Sequence, residues 1–384
     1  MKTFTLLKSL LIACLFSLMG GSAWAQEFVT DVITADDLEA TSTIYTPFSN
    51  VSKTSNTIYA GQTARSSDGA IQLNSKLPTN KKYNGIVVTS SVGIIKSITI
   101  TFKSNTSNGR VIDVYGKNTS YASADDLYGT LKADVGDKLG SASKSSSALE
   151  IPIKVSGSYK YIGIRPSSGA IYLESISITW QKPAGKLSIT SAGYATYFTD
   201  KAFTMPNGVT GSIITDVNNG SLRIEDNYLA GSAVPANTAL LLKGAQGDYE
   251  YYSTTTTETA PKNNMLHGST VDAETMVDGD LAAYLFYKLS YDDEGKNLGF
   301  YWDSEGGDPF ESEGGKAWLA VPTSNGSSQL KGFALDGQTT GIQQAAVATK
   351  AEKPIFDING RRVSTLNGAA KGVYIVGGKK VMVK

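Results

Sequence analysis

Apolar and polar residues alternate with period two along most of this chain. Ile98, Ile100 and Phe102 alternate with threonines, which gives a strand one apolar and one polar face. Asn108-Gly109 has the chemistry of a tight turn, so Val111 to Tyr115 is read as the partner strand of a hairpin. Tyr159 to Ile164 and Ile171 to Trp180 are further strands. In the second of these the apolar phase switches between Leu173 and Ile176, and a bulge near Glu174-Ser175 is needed to keep both halves facing one core. Helical spacing is confined to Asp36 to Ala40 and Ala124 to Leu131, one or two turns each. Short strands separated by Gly, Ser and Asn turns predict an all-β protein: an N-terminal jelly-roll sandwich, a second β-sandwich or barrel-like domain, and a small C-terminal β unit.

Breaks in this pattern set the expected organisation. Lys2 and Lys8 precede an apolar run from Leu10 to Met19 and then Ala23-Trp24-Ala25, the layout of a cleavable signal peptide over residues 1–25. Leu11-Ile12-Ala13-Cys14 also resembles a lipobox, but lipidation there would leave Ala23-Trp24-Ala25 without a role. Residues 26–182 are expected to form the jelly-roll sandwich, bounded by the linker-like Gln181-Lys182-Pro183-Ala184-Gly185. Residues 186–338 form a second β domain, with strands at Ala239 to Lys243, Gly247 to Tyr252, Ala282 to Leu289 and Ala317 to Val321 and a loop at Thr254 to Thr257. Residues 339–352 lack periodicity and read as a flexible tether, and residues 353–384 as a final β unit. No segment reaches the roughly 20 apolar residues of a transmembrane span.

Composition narrows the chemistry. Cys14 is the one cysteine, so leader cleavage removes every thiol, and disulfides and zinc-thiolate sites with it. Loss of Lys2 and Lys8 leaves 33 basic against 35 acidic residues, a balance that gives no general attraction to nucleic acid. His267 is the single histidine; multi-histidine metal sites are impossible, and no G-x-S-x-G elbow accompanies it. Phosphate-cradling glycine loops are missing too. No cofactor, metal or catalytic residue is therefore assigned. Carboxylate chemistry needs only two acidic groups about 5–10 Å apart, so an extracellular carboxylate-dependent glycoside hydrolase is the alternative reading. The densest acidic run, Asp303, Glu305, Asp308, Glu311 and Glu313, lacks a calcium-loop register and reads as a solvated hairpin loop.

An internal echo supplies the candidate binding site. Arg65-Ser66-Ser67-Asp68-Gly69-Ala70-Ile71-Gln72-Leu73 is matched by Arg165-Pro166-Ser167-Ser168-Gly169-Ala170-Ile171-Tyr172-Leu173, each a polar turn feeding an apolar strand. Arg65, Arg110 and Arg165 are the only arginines of the first domain. Guanidinium groups offer planar donors and Tyr172 a stacking face, so Arg65, Asp68, Arg110, Arg165, Ser167 and Tyr172 are the candidate ligand-binding residues of a shallow glycan site. The competing expectation is that each arginine braces its turn through a carbonyl or an acidic neighbour. Trp180, Trp302 and Trp318 are expected in the core, and the 20 tyrosines mostly on strand faces.

Three segments carry family resemblance. Ile355-Phe356-Asp357-Ile358-Asn359-Gly360-Arg361-Arg362-Val363, Lys371-Gly372-Val373-Tyr374-Ile375-Val376 and Lys379-Lys380-Val381-Met382-Val383-Lys384 resemble the C-terminal sorting domain of the type nine secretion system of Bacteroidetes. That resemblance implies the secretion machinery as a partner and a secreted or outer-surface location. Ser191-Ala192-Gly193-Tyr194-Ala195-Thr196, Val234-Pro235-Ala236-Asn237-Thr238, Asn263-Asn264-Met265-Leu266, Gly299-Phe300-Tyr301-Trp302 and Lys316-Ala317-Trp318-Leu319 resemble an accessory β module of surface proteins from the same bacteria. The N-terminal part resembles jelly-roll domains related to galactose-binding folds. Together these imply a non-catalytic binding or adhesion protein whose partner is a glycan or a host-matrix ligand.

Overall fold

The computed structural model describes residues 28–75, 84–218, 220–277, 283–325 and 330–335, with four further strands at Ile355–Asp357, Arg362–Val363, Gly372–Val376 and Lys379–Val383. The leader and the tether lie outside these residues. The fold is all-β. Eleven antiparallel strands form the first unit: β1 (Phe28–Ile33), β2 (Thr46–Val51), β3 (Ile58–Arg65), β4 (Ile71–Asn74), β5 (Gly85–Ser90), β6 (Ile94–Phe102), β7 (Val111–Lys117), β8 (Asp137–Ser143), β9 (Glu150–Ile153), β10 (Tyr161–Pro166) and β11 (Ala170–Gln181).

They fold into two layers. One runs β9-β6-β11, with β4 and β1 sharing the far edge of β11; the other runs β2-β3-β5-β10-β7-β8, and the end of β3 turns over to pair with β4. Alternation dictates what lies between them. Ile98, Ile100, Phe102, Ile176 and Ile178 from the first layer meet Ile86, Val88, Ile112, Val114, Ile162 and Ile164 from the second in one buried cluster. The phase switch in β11 is resolved by a register shift between Leu173 and Ser175, which leaves Leu173, Ile176, Ile178 and Trp180 all fully buried.

One sequence-based expectation is overturned. β6 and β7 do not form a hairpin: β6 pairs with β11 and β9, and β7 with β10 and β8. Gly109 does occupy the left-handed region (φ 78°), but its N–H goes to the Lys144 carbonyl beyond β8. The segment 103–110 is thereby a crossing between layers, and the local turn signal was outweighed by two long-range partners.

The outer face of the second layer is covered. A 3-10 turn at Ala124–Tyr128 and an α-helical turn at Lys132–Val135 bring Tyr121 and Leu127 down on Val87 and Tyr115. Gly163 and Gly85 are the seat: a Cβ at Gly163 would lie 2.3 Å from Leu127 Cδ2, and one at Gly85 3.1 Å from Leu127 Cδ1. Among the described residues, no helical turn covers the outer face of β4, β11 and β6.

Asp31 ties the layers together. It is 2% exposed and accepts from Ser52 Oγ (2.5 Å), Ser55 Oγ (2.6 Å), Tyr59 Oη (2.6 Å) and Trp180 Nε1 (3.1 Å). Burial, with this carboxylate beside it, pushes the Tyr59 phenol far above its ordinary pKa.

Beyond Gln181, strand Gly185–Ile189 begins a second β region of small antiparallel sheets with cores around Phe203 and Leu242, around Tyr287, Phe300 and Phe333, and around Phe286 and Trp318. Gln181 Nε2 donates to the Ser253 carbonyl at 2.8 Å and Lys160 Nζ to Glu250 at 2.6 Å, joining the two regions. The four C-terminal strands pair antiparallel among themselves in the order 362–363, 355–357, 372–376, 379–383.

Candidate binding face on the first sandwich

The echoed segments are neighbours in space. β4 and β11 pair antiparallel with Ile71↔Leu173, Tyr172↔Gln72 and Ile171↔Leu73, so the two turns sit at opposite ends of one strand pair. Both turns carry the chain from one layer to the other, and Gly69 (φ 86°) and Gly169 (φ 55°) take the left-handed conformation each requires. Ile71, Leu73, Ile171 and Leu173 point into the core. Gln72, Asn74 and Tyr172 therefore point out of the open face, half-buried.

The crossing segment 103–110 runs between the two turns and fixes what lies on this face. Thr106 Oγ1 donates to the Tyr172 carbonyl at 2.7 Å and accepts from the Tyr172 N–H at 3.0 Å. At one end Asn105 Nδ2 donates to Asp68 at 3.0 Å, and the Ser66 hydroxyl donates to the same carboxylate. The Ser66 hydrogen bond is the main reason the Asp68 pKa lies below its ordinary value. At the other end Arg110 lies over Gly169, beside Ser167, whose N–H and hydroxyl both donate to the Val111 carbonyl at 2.9 and 3.1 Å. Tyr45 lies beside this face with its hydroxyl buried and, among the described residues, without a hydrogen-bond partner, and burial raises its pKa.

Asp68, Arg110, Ser167 and Tyr172 are thus gathered around one segment, and Arg65 and Arg165 are directed elsewhere. Arg65 pairs with Asp36. Arg165 donates to the Leu127 carbonyl and to Tyr115 Oη (2.8 Å), with its guanidinium 5.0 Å from the Tyr115 ring centre and 5.2 Å from that of Tyr128. Both brace local structure, Arg165 under the cover on the second layer. Tyr45, Gln72, Asn74 and Thr106 were not singled out from the sequence. Gln72 and Asn74 were within reach, since they alternate with Ile71 and Leu73 in the echo; Tyr45 belongs to a loop whose destination no local pattern encodes.

Two concave regions lie elsewhere. A cavity of about 250 Å³ beside β1 is lined by Asp31, Asp36, Asp37 and Glu39 among others. Three of these carboxylates have internal partners: the donors around Asp31, Arg65 for Asp36, and the Thr34 N–H (2.9 Å) and hydroxyl (2.7 Å) for Asp37. A cleft of about 360 Å³ in the second region is lined by Phe198, Asn237, His267, Glu274, Met276 and Trp318. His267 sits there on strand Leu266–Gly268, paired with Trp318 across the ladder. Asp303 of the acidic run pairs with Lys288 at 3.0 Å. Among the described residues, no three His, Cys, Asp or Glu side chains are grouped to hold a metal ion, and no helix is long and apolar enough to cross a membrane.

No known family matches the sequence, and no curated protein matches it. Among solved structures, the chain is similar to CBM86, a low affinity xylan binding module from the gut symbiont Roseburia intestinalis, at 16% identity over 41% of this chain and 98% of that one, with a TM-score of 0.18. It is also similar to dimeric latent PorU from Porphyromonas gingivalis, at 9% identity over 63% of this chain and 22% of that one, with a TM-score of 0.14. At TM-scores this low neither likeness assigns a fold or a ligand to this chain.

Proposed function

We propose that this chain is an exported, non-catalytic binding protein of the cell exterior that takes a glycan on the open face of its first sandwich. The observation that carries the reading is the outward-facing set Tyr172, Gln72 and Asn74, with the Thr106 hydroxyl clamped on the Tyr172 backbone. A phenol ring covers the apolar face of a sugar, and flanking amides match its hydroxyls as donor and acceptor. Because Thr106 fixes the Tyr172 backbone, little ordering is left to occur on binding. The signal-peptide-like residues 1–25 and the sorting-like strands of 353–384 supply the route outward in this reading.

A carboxylate-dependent glycoside hydrolase is the competing reading. Titration of the chain from Gln26 onward against a glycan panel is the test. Tyr172→Ala in a protein that keeps its circular dichroism spectrum should weaken the best ligand by roughly tenfold or more, the worth of one stacking aromatic. Unchanged affinity, or release of reducing ends, contradicts the reading.

A further inference from the structure

The far end of the binding face holds an unusual pair of cations. β7 and β8 are in register at Val111↔Ser143 and Ile112↔Ala142, and the ladder continues one step: the Lys144 N–H donates to the Arg110 carbonyl and the Gly109 N–H to the Lys144 carbonyl, both at 2.8 Å. Side chains alternate along strands, so Arg110 and Lys144 share the side of Ile112 and Ala142 and turn toward the mouth between the layers. Lys144 is 4% exposed. Its ammonium donates to the Ser145 carbonyl at 2.6 Å and Asn108 Oδ1 at 3.4 Å, both neutral acceptors. The Arg110 guanidinium lies on Gly169, where a Cβ would fall 1.7 Å from Nη1. Among the described residues, no carboxylate pairs with either cation.

Like charges set opposite one another on paired strands repel, and an ammonium buried without a counter-charge is costly. Arg65 and Arg165 show the usual solution, an internal acceptor; Arg110 has none among the described residues. An anion arriving from solvent would relieve both costs at once. We infer that Arg110 and Lys144 form an anion site, and that it receives the carboxylate of a uronic-acid residue in an acidic glycan lying along the Tyr172 face. The Ser75 N–H donates to the Gly169 carbonyl at 3.0 Å, which places the guanidinium's seat next to the Asn74 end of that face. Arg110 presents two parallel donors to the carboxylate, and Lys144 adds charge from behind.

This inference rests on the glycan-binding reading, and a matched pair of ligands separates the two. Oligogalacturonides and their methyl esters have the same sugar rings and differ in charge. The acid form should bind at least about tenfold tighter than the ester, as charge-assisted hydrogen bonds are worth, and the gap should narrow as salt rises from 50 to 500 mM. Arg110→Gln, on the surface side of the pair, should erase the gap, as should Gly169→Ala, which displaces the guanidinium; Tyr172→Ala should weaken both ligands equally. Equal binding of acid and ester, or a gap that survives Arg110→Gln, overturns the anion site and leaves the Tyr172 face standing. Binding of neither ligand counts against both.

Discussion

Asp31 and Asp68 show two opposite uses of a carboxylate. Asp31, sealed in the core, gathers four donors from both layers; Asp31→Ala strands the Trp180 and Tyr59 donors and should cost about 3 kcal/mol in urea unfolding. A loss below about 1 kcal/mol would show the network to be dispensable. Asp68 is exposed, and its Ser66 hydrogen bond depresses its pKa. A depressed folded value means the tie to Ser66 and Asn105 is present above the ordinary carboxyl range, near 3.9, and is lost as pH falls through the lower folded value. In an NMR titration Asp68 should have its midpoint below about 3.9, and Ser66→Ala should raise it; a wild-type midpoint at or above that value contradicts the assignment. Little of this was legible in the sequence. Asp31 looks like any polar residue beside Val32 and Ile33, and Lys144, in a run of serines, reads as solvated until the β8 ladder turns it inward.

At the scale of elements, much more was legible, because period-two alternation records burial directly. The bulge in β11 was read from the change of phase between Leu173 and Ile176, and the register shift lies there. Removing the extra residue tests it. Deletion of Glu174 leaves Ile171, Leu173, Ile176, Ile178 and Trp180 on one face in unbroken alternation, so a cooperative unfolding transition should survive, whereas deletion of Ser177 throws Ile178 and Trp180 out of phase with Ile176 and should abolish it. The hairpin expected from Asn108-Gly109 failed for the converse reason: turn chemistry is local, and the partners of β6 and β7 are decided by layers that form from distant strands. The cover over the second layer was equally hidden, since only the close approach of Leu127 to Gly163 gives that glycine its meaning.

For the whole molecule, strand content and the expected sandwich were readable from the sequence, and the side of the sandwich that meets a ligand was not. The segment around Tyr121 and Leu127 covers the second layer, and among the described residues the crossing segment 103–110 gathers Asp68, Tyr172 and Arg110 around the β4–β11 pair. The resemblance of the termini to export signals concerns where the chain goes, and the face concerns what it does there. Hydrogen–deuterium exchange across the chain, with and without the tightest-binding glycan of the panel, tests that account most directly. Protection is predicted at 68–74, 103–110 and 167–174, around Tyr172; protection confined to the His267 cleft, or spread over no contiguous surface, would contradict it.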